Sequence, residues 1–219
     1  MTDIKKVLSL LKKKYPQPRI ALKSSDPFEL LVSTILSAQC TDARVNIITQ
    51  TLFKKYRRIE DYANVDLKTF EKEVRSTGFY RNKAKNIIAA ANKILKDFKG
   101  RVPQDMDGLL ELPGVARKTA NVVLYNAFGK NEGIAVDTHV MRVSQRLKVA
   151  KNSDPVKIER DLMDILERSQ WGAFSLRMIW HGRETCKAKN PKCLECILKN
   201  ICPSKKIFTL KDRKAGKNG

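Results

Sequence analysis

Apolar residues recur at three- and four-residue spacing through almost all of this 219-residue chain, and no stretch alternates apolar and polar residues as a half-buried strand does. That periodicity confines the chain to an all-α fold. The clearest segment opens with Asp26-Pro27-Phe28-Glu29, which supplies an N-cap, a proline at the first helical position and a capping-box carboxylate. Phe28, Leu31, Val32, Ile35 and Leu36 then share one face. Similar stripes run through Ile4, Val7, Leu8 and Leu11, through Val45, Ile48, Leu52 and Tyr56, and from Ala84 to Phe98, where Gly100 stops the helix. Asp154-Pro155 starts another stripe through Ile158, Leu162, Ile165 and Leu166, and Trp171 to Ile179 carries a last apolar face. These stripes read as core. The lone Cys40 reads as a small packing residue on a mostly apolar helix.

With 42% hydrophobic residues the chain can fill a real core, yet it carries 44 Lys and Arg against 23 Asp and Glu, a net charge of +21 and a pI near 9.9. The basic residues are spread along the chain, so a polyanion is the expected partner. No run approaches the ~20 apolar residues of a spanning helix. The start, Met-Thr-Asp-Ile-Lys-Lys, lacks a signal peptide's apolar centre, so a cytoplasmic location is expected. The basic tail Lys211 to Gly219 is expected to fray.

Four of the five cysteines, Cys186, Cys193, Cys196 and Cys202, cluster as C-x6-C-x2-C-x5-C. Thiolates so close in sequence repel unless a cation neutralises them, which points to a metal site rather than a disulfide framework. Spacing alone leaves zinc and an iron–sulfur cluster both open. Lys187, Lys189, Lys192 and Lys199 surround the cysteines and form a basic surface suited to phosphates.

Between two apolar-patterned segments, Leu109-Leu-Glu-Leu-Pro-Gly-Val-Ala-Arg-Lys118-Thr-Ala-Asn-Val-Val-Leu124 places a tight Pro113-Gly114 turn. Backbone N–H groups at the helix start after it favour a phosphate. Lys118 falls in that first turn, where the helix dipole disfavours the ammonium relative to the neutral, nucleophilic amine. A solvated helix-start lysine is the alternative. Asp137, before Thr138-His139, reads on its own as a helix N-cap. His139 and His181 read as structural groups, because four cysteines already complete a metal site.

Several of these segments stand together in the order found in one family. Phe28-Glu-Leu-Leu31, Leu36-Ser-Ala-Gln-Cys-Thr-Asp42, Gly78-Phe-Tyr80 with Lys83-Ala84, Leu112-Pro-Gly114, Arg117-Lys-Thr-Ala-Asn121, Ala135-Val-Asp-Thr-His139, His181-Gly-Arg183 and the four cysteines resemble the endonuclease III family of helix-hairpin-helix DNA glycosylases over about residues 1–205. The resemblance implies two helical domains flanking a DNA-binding cleft. One is a six-helix domain over 20–131 with the hairpin; the other joins 1–19 to 132–205 and holds a [4Fe–4S] cluster on Cys186, Cys193, Cys196 and Cys202, with 206–219 left as a tail. It implies a monomer acting on duplex DNA with damaged bases or abasic sites, located with the nucleoid. The implied activity is a bifunctional glycosylase and apurinic/apyrimidinic lyase for oxidised pyrimidines, with a damaged base flipped from the stack. Lys118 would form a Schiff base and Asp137 would stabilise charge on the sugar and move protons.

By the same resemblance Gln39 and Phe79 would fill the opened duplex, and Leu112, Gly114, Ala116 and Arg117 would hold DNA. Two positions depart from the family pattern. Phe79 replaces a common leucine, and Ala116 stands where a second glycine is usual; if that position needs positive φ, alanine is strained there. Gln39 as a helix-end polar residue and Phe79 as core are the plain readings. The rival functions are a monofunctional mismatch glycosylase, against which Lys118 argues, and a non-catalytic cluster-bearing DNA-binding protein.

Overall fold

The computed structural model describes residues 2–208, and the described residues contain helices and no strand. Residues 209–219, most of the expected tail, lie outside the described residues. The chain forms two compact units, one continuous, Ile20–Glu132, and one split, Met1–Arg19 with Gly133–Gly219.

In the continuous unit, α2 (Pro27–Leu36) is the central element, with eight of its residues, Phe28 and Leu30 to Leu36, buried. Asp26 caps it, its Oδ1 accepting from the Phe28 N–H at 2.7 Å and the Glu29 N–H at 2.9 Å. Glu29 reaches one residue further back than a standard capping box and accepts from the Ser25 N–H. Against α2 pack α3 (Asp42–Lys55), the long α6 (Tyr80–Asp97) and α8 (Arg117–Phe128), while the short α4 (Ile59–Ala63) and α5 (Leu67–Val74) pack on α6 and α7 (Met106–Leu110) packs on α8. Phe28, Tyr56, Tyr62 and Phe70 form an aromatic cluster within this core, edge-to-face except for the tilted Tyr56–Tyr62 pair, with ring centroids 5.1 to 5.9 Å apart. Cys40 corrects the expectation for it. Because α2 ends at Leu36, Cys40 sits in the loop before α3, half-buried against the core rather than on a helix.

In the split unit, α1 (Ile4–Lys14) packs with α9 (Thr138–Leu147), α10 (Pro155–Ile165) and α11 (Trp171–Glu184) around Val7, Leu11, Val140, Leu162, Phe174 and Met178. Helices α9 and α11 approach closely at Gly182. A Cβ there would lie 2.8 Å from His139 Cβ and 3.0 Å from its Nδ1. Gly182→Ala is therefore expected to lower the unfolding free energy by roughly 1–3 kcal/mol, the range for overpacking a tight contact. Urea denaturation measures it, and wild-type stability would mean that the helices separate without cost.

Candidate active site and cluster-binding loop

The hairpin runs from α7 to α8 through Glu111 to Ala116. Gly114 takes φ +80°, which glycine adopts without strain, and a side chain there would also press on Asn86 of α6 at 2.8 Å. Ala116 occupies the N-cap of α8 with φ −95° and ψ 167°, an extended conformation open to any residue. The strain anticipated for alanine is absent, since the positive φ falls at Gly114. Ala116 has no side chain able to cap, and the first turn of α8 holds no acidic residue. By contrast, Asp26, Thr41, Asp66, Asp105, Asp137 and Asp154 each accept an amide hydrogen at the start of their helices.

Helix α8 thus begins without a side-chain cap and with Arg117 and Lys118 as its first two residues. Lys118 is exposed, as are Gly114 and Ala116, and Arg117 is half-buried. The Leu112 side chain is 2% exposed and belongs to the core, so only its main chain could meet a ligand.

Gln39 and Phe79 both lie outside regular helix, with φ +54° and +48°. Gln39 is exposed, and Phe79 is 64% exposed, which overturns the reading of this ring as core.

In the split unit Asp137 caps α9. Its Oδ1 accepts from the His139 and Val140 N–H groups, both at 2.8 Å, while Oδ2 takes part in neither bond. The Arg142 Nη2 lies 3.1 Å from His139 Nδ1, so the imidazole accepts there and holds its proton on Nε2. Burial, the largest influence, holds His139 below its usual range.

Cys186, Cys193, Cys196 and Cys202 border a common space with His181 and Arg146. Burial pushes the Cys196 and Cys202 thiols up, and the neighbouring cysteine Cys186 adds to it in both cases. Four thiols so placed call for a cationic group that displaces their protons. Among the described residues no three Cys, His, Asp or Glu side chains converge tightly enough for one metal ion.

Two arginines one turn apart on α9 hold this loop, and sequence reasoning missed both. Arg142 donates from Nε to Cys186 O at 3.1 Å and from Nη2 to Gly182 O at 2.9 Å. Arg146 donates from Nη1 to Cys186 Sγ at 3.3 Å and to Lys187 O at 2.7 Å, and from Nη2 to Ala188 O at 3.0 Å. Their i, i+4 spacing was the available signal. His181 is buried with Nε2 3.6 Å from Cys196 Sγ, and burial followed by the Lys14 charge pushes its pKa down to about 4. It is a neutral ring beside a thiol. Lys187, Lys189, Lys192 and Lys199 are all exposed around the loop.

The profile of the HhH-GPD superfamily base excision DNA repair proteins matches residues 32–168, and that of the iron–sulfur binding domain of endonuclease III matches residues 186–202. Endonuclease III of Synechocystis sp. is 53% identical over 198 residues, covering 90% of each chain. The chain belongs to the endonuclease III family. Among solved structures similar to it are a non-covalent endonuclease III–DNA complex and a trapped endonuclease III–DNA covalent intermediate. Each has a TM-score of 0.90 and 44% identity and covers 94% of this chain, with 96% and 97% of the other chain covered respectively. As a member of the endonuclease III family, the protein is a DNA N-glycosylase and apurinic/apyrimidinic-site lyase of base excision repair, and its cofactor is a [4Fe–4S] cluster. No described helix is long and apolar enough to cross a membrane.

Proposed function

We propose that Lys118 is the nucleophile of this enzyme, that Asp137 assists it, and that the substrate is an oxidised pyrimidine in duplex DNA. The observation that carries this reading is an exposed lysine at the second position of α8, whose start pairs the turn glycine Gly114 with a cap residue that has no polar side chain. A helix start without a capping side chain suits a DNA phosphate, which would hold the backbone beside the amine. The similar protein trapped as a covalent intermediate with DNA supports an amine that bonds to its substrate.

The Lys118 Nζ lone pair attacks the sugar C1′, and the C1′–N bond breaks with its electrons leaving on the base. Loss of the amine proton and opening of the sugar ring give a Schiff base, which acidifies the adjacent C2′ position. Removal of that proton expels the 3′ phosphate with the C3′–O bonding pair and nicks the strand; water then hydrolyses the imine and frees the lysine. The Asp137 carboxylate stabilises positive charge on the sugar and carries protons between the amine and the leaving groups.

Gln39 and Phe79 fill the space left by the flipped nucleotide. Arg117 and the main chain at Leu112, Gly114 and Ala116 hold phosphate. Cys186, Cys193, Cys196 and Cys202 are the residues that would hold the cluster, with Arg146 donating to the Cys186 sulfur. A closed four-thiolate site supplies structural cross-linking, here of the loop 186–202. The place of action is the cytoplasm, on the nucleoid.

Borohydride reduction tests the reading. Incubated with a duplex containing one abasic site, the protein should become covalently attached to DNA when the imine is reduced. No adduct would overturn the lyase assignment, and base release without nicking would favour a monofunctional glycosylase.

Ala116→Asp gives a second test of the phosphate site. A carboxylate at an extended N-cap should stabilise α8 by about 1 kcal/mol. It would occupy the same amides and repel phosphate, so duplex affinity should fall about tenfold or more while the melting temperature rises. Unchanged affinity would remove the α8 start from the DNA-binding surface.

A further inference from the structure

Lys83 is a charged residue in a place where charge is costly. It lies in the first turn of α6, it is 5% exposed, and a buried ammonium is tolerated only when its N–H bonds are used. Its Nζ donates to two main-chain carbonyls, Leu36 O and Thr77 O, each at 2.8 Å. Leu36 ends α2, and Thr77 ends the 3-10 turn Arg75–Thr77. Carbonyls at helix ends lack partners within the helix and carry the negative end of its dipole, so one ammonium serves both.

The residues immediately after each carbonyl give this clamp a purpose. Three residues beyond Leu36 stands Gln39, in the left-handed region; directly beyond Thr77 stand Gly78 and Phe79, also with positive φ. Both Gln39 and Phe79 are exposed, and Phe79 serves as the N-cap of α6 without a side-chain bond. Lys83 is separated from Leu36 by 47 positions and from Thr77 by six, so it joins two remote segments at the point where each turns outward.

We propose that Lys83 is the positioning residue for both duplex-filling side chains, clamping the end of α2 to the Arg75–Thr77 turn so that Gln39 and Phe79 are held ready before DNA arrives. The proposal rests on the reading of Gln39 and Phe79 as the inserted residues. Ordering these loops in advance removes an entropic cost that binding would otherwise bear. A methionine at this position fills similar volume but leaves both carbonyls without a donor, and the two loops lose their common anchor.

The test is a double-mutant cycle on the full cluster-bearing protein, comparing Lys83→Met, the pair Gln39→Ala with Phe79→Ala, and all three together. Two quantities are read. One is the preference for a duplex with a stable tetrahydrofuran abasic analogue over an undamaged duplex; the other is the fluorescence of 2-aminopurine placed opposite the analogue, which reports stacking there. The paired alanine variant should lose about tenfold in preference, and Lys83→Met about fivefold with a changed 2-aminopurine signal, while the triple variant is no worse than the pair. A clamp that only stabilised the fold would lower the melting temperature and leave both readouts unmoved. Lys83→Gln keeps N–H donors and should fall between wild type and methionine; it carries the same test if the methionine variant does not fold. If the alanine pair retains full preference, the insertion reading fails. If the pair loses preference but Lys83→Met does not, or its loss adds in full in the triple variant, the insertion reading stands and the positioning role of Lys83 is overturned.

Discussion

Lys118→Ala is expected to abolish borohydride trapping and strand nicking, a loss of roughly a thousandfold or more, equivalent to about 4 kcal/mol of transition-state stabilisation. The size reflects the role. No other side chain in the first turn of α8 offers a primary amine, and water cannot form an imine. The fold should be untouched, because the side chain is exposed and a cation at the positive end of a helix contributes no stability there. Lys118→Arg separates charge from nucleophilicity. It keeps a cation beside the DNA backbone yet should form no adduct, while binding an abasic-analogue duplex close to wild type. An adduct formed by either variant would place the nucleophile on another residue.

Asp137 carries the second large effect, and its two roles separate by choice of substitute. Asn is as good an N-cap as Asp, so Asp137→Asn should keep the bonds to the His139 and Val140 amides and leave the melting temperature near wild type. It removes the negative charge, and the single-turnover rate should fall roughly 100- to 1,000-fold. Asp137→Ala should show the same kinetic loss and, in addition, lose about 1 kcal/mol of stability with the cap. If Asn turns over at the wild-type rate, the carboxylate is a cap and nothing more.

The features legible in the sequence are those encoded locally. Asp26-Pro27 marks the start of α2, Asp154-Pro155 that of α10, and Pro113-Gly114 the hairpin turn, because caps, proline and a positive φ act within a few residues. The illegible features are set by tertiary context. The apolar run up to Cys40 suggests a helix, but α2 stops at Leu36, where the Lys83 ammonium takes its last carbonyl from 47 positions away. Phe79 looks like core by composition, yet a left-handed backbone turns it into solvent. The arginines of α9 pass for ordinary surface charge until the fold brings Cys186 to them.

The split unit sets an order of events during synthesis. Residues Ile20–Glu132 form one uninterrupted segment that can fold as it emerges from the ribosome, whereas α1 is made first and finds its core partners only when α9 to α11 appear. Its apolar face, with Val7 and Leu11, therefore waits exposed while the whole intervening segment is translated. Closing so long a loop slows assembly. The cysteine loop is later still in the chain. A nascent chain that has not reached Cys186 therefore already contains the whole hairpin segment, while the split unit still lacks its four cysteines.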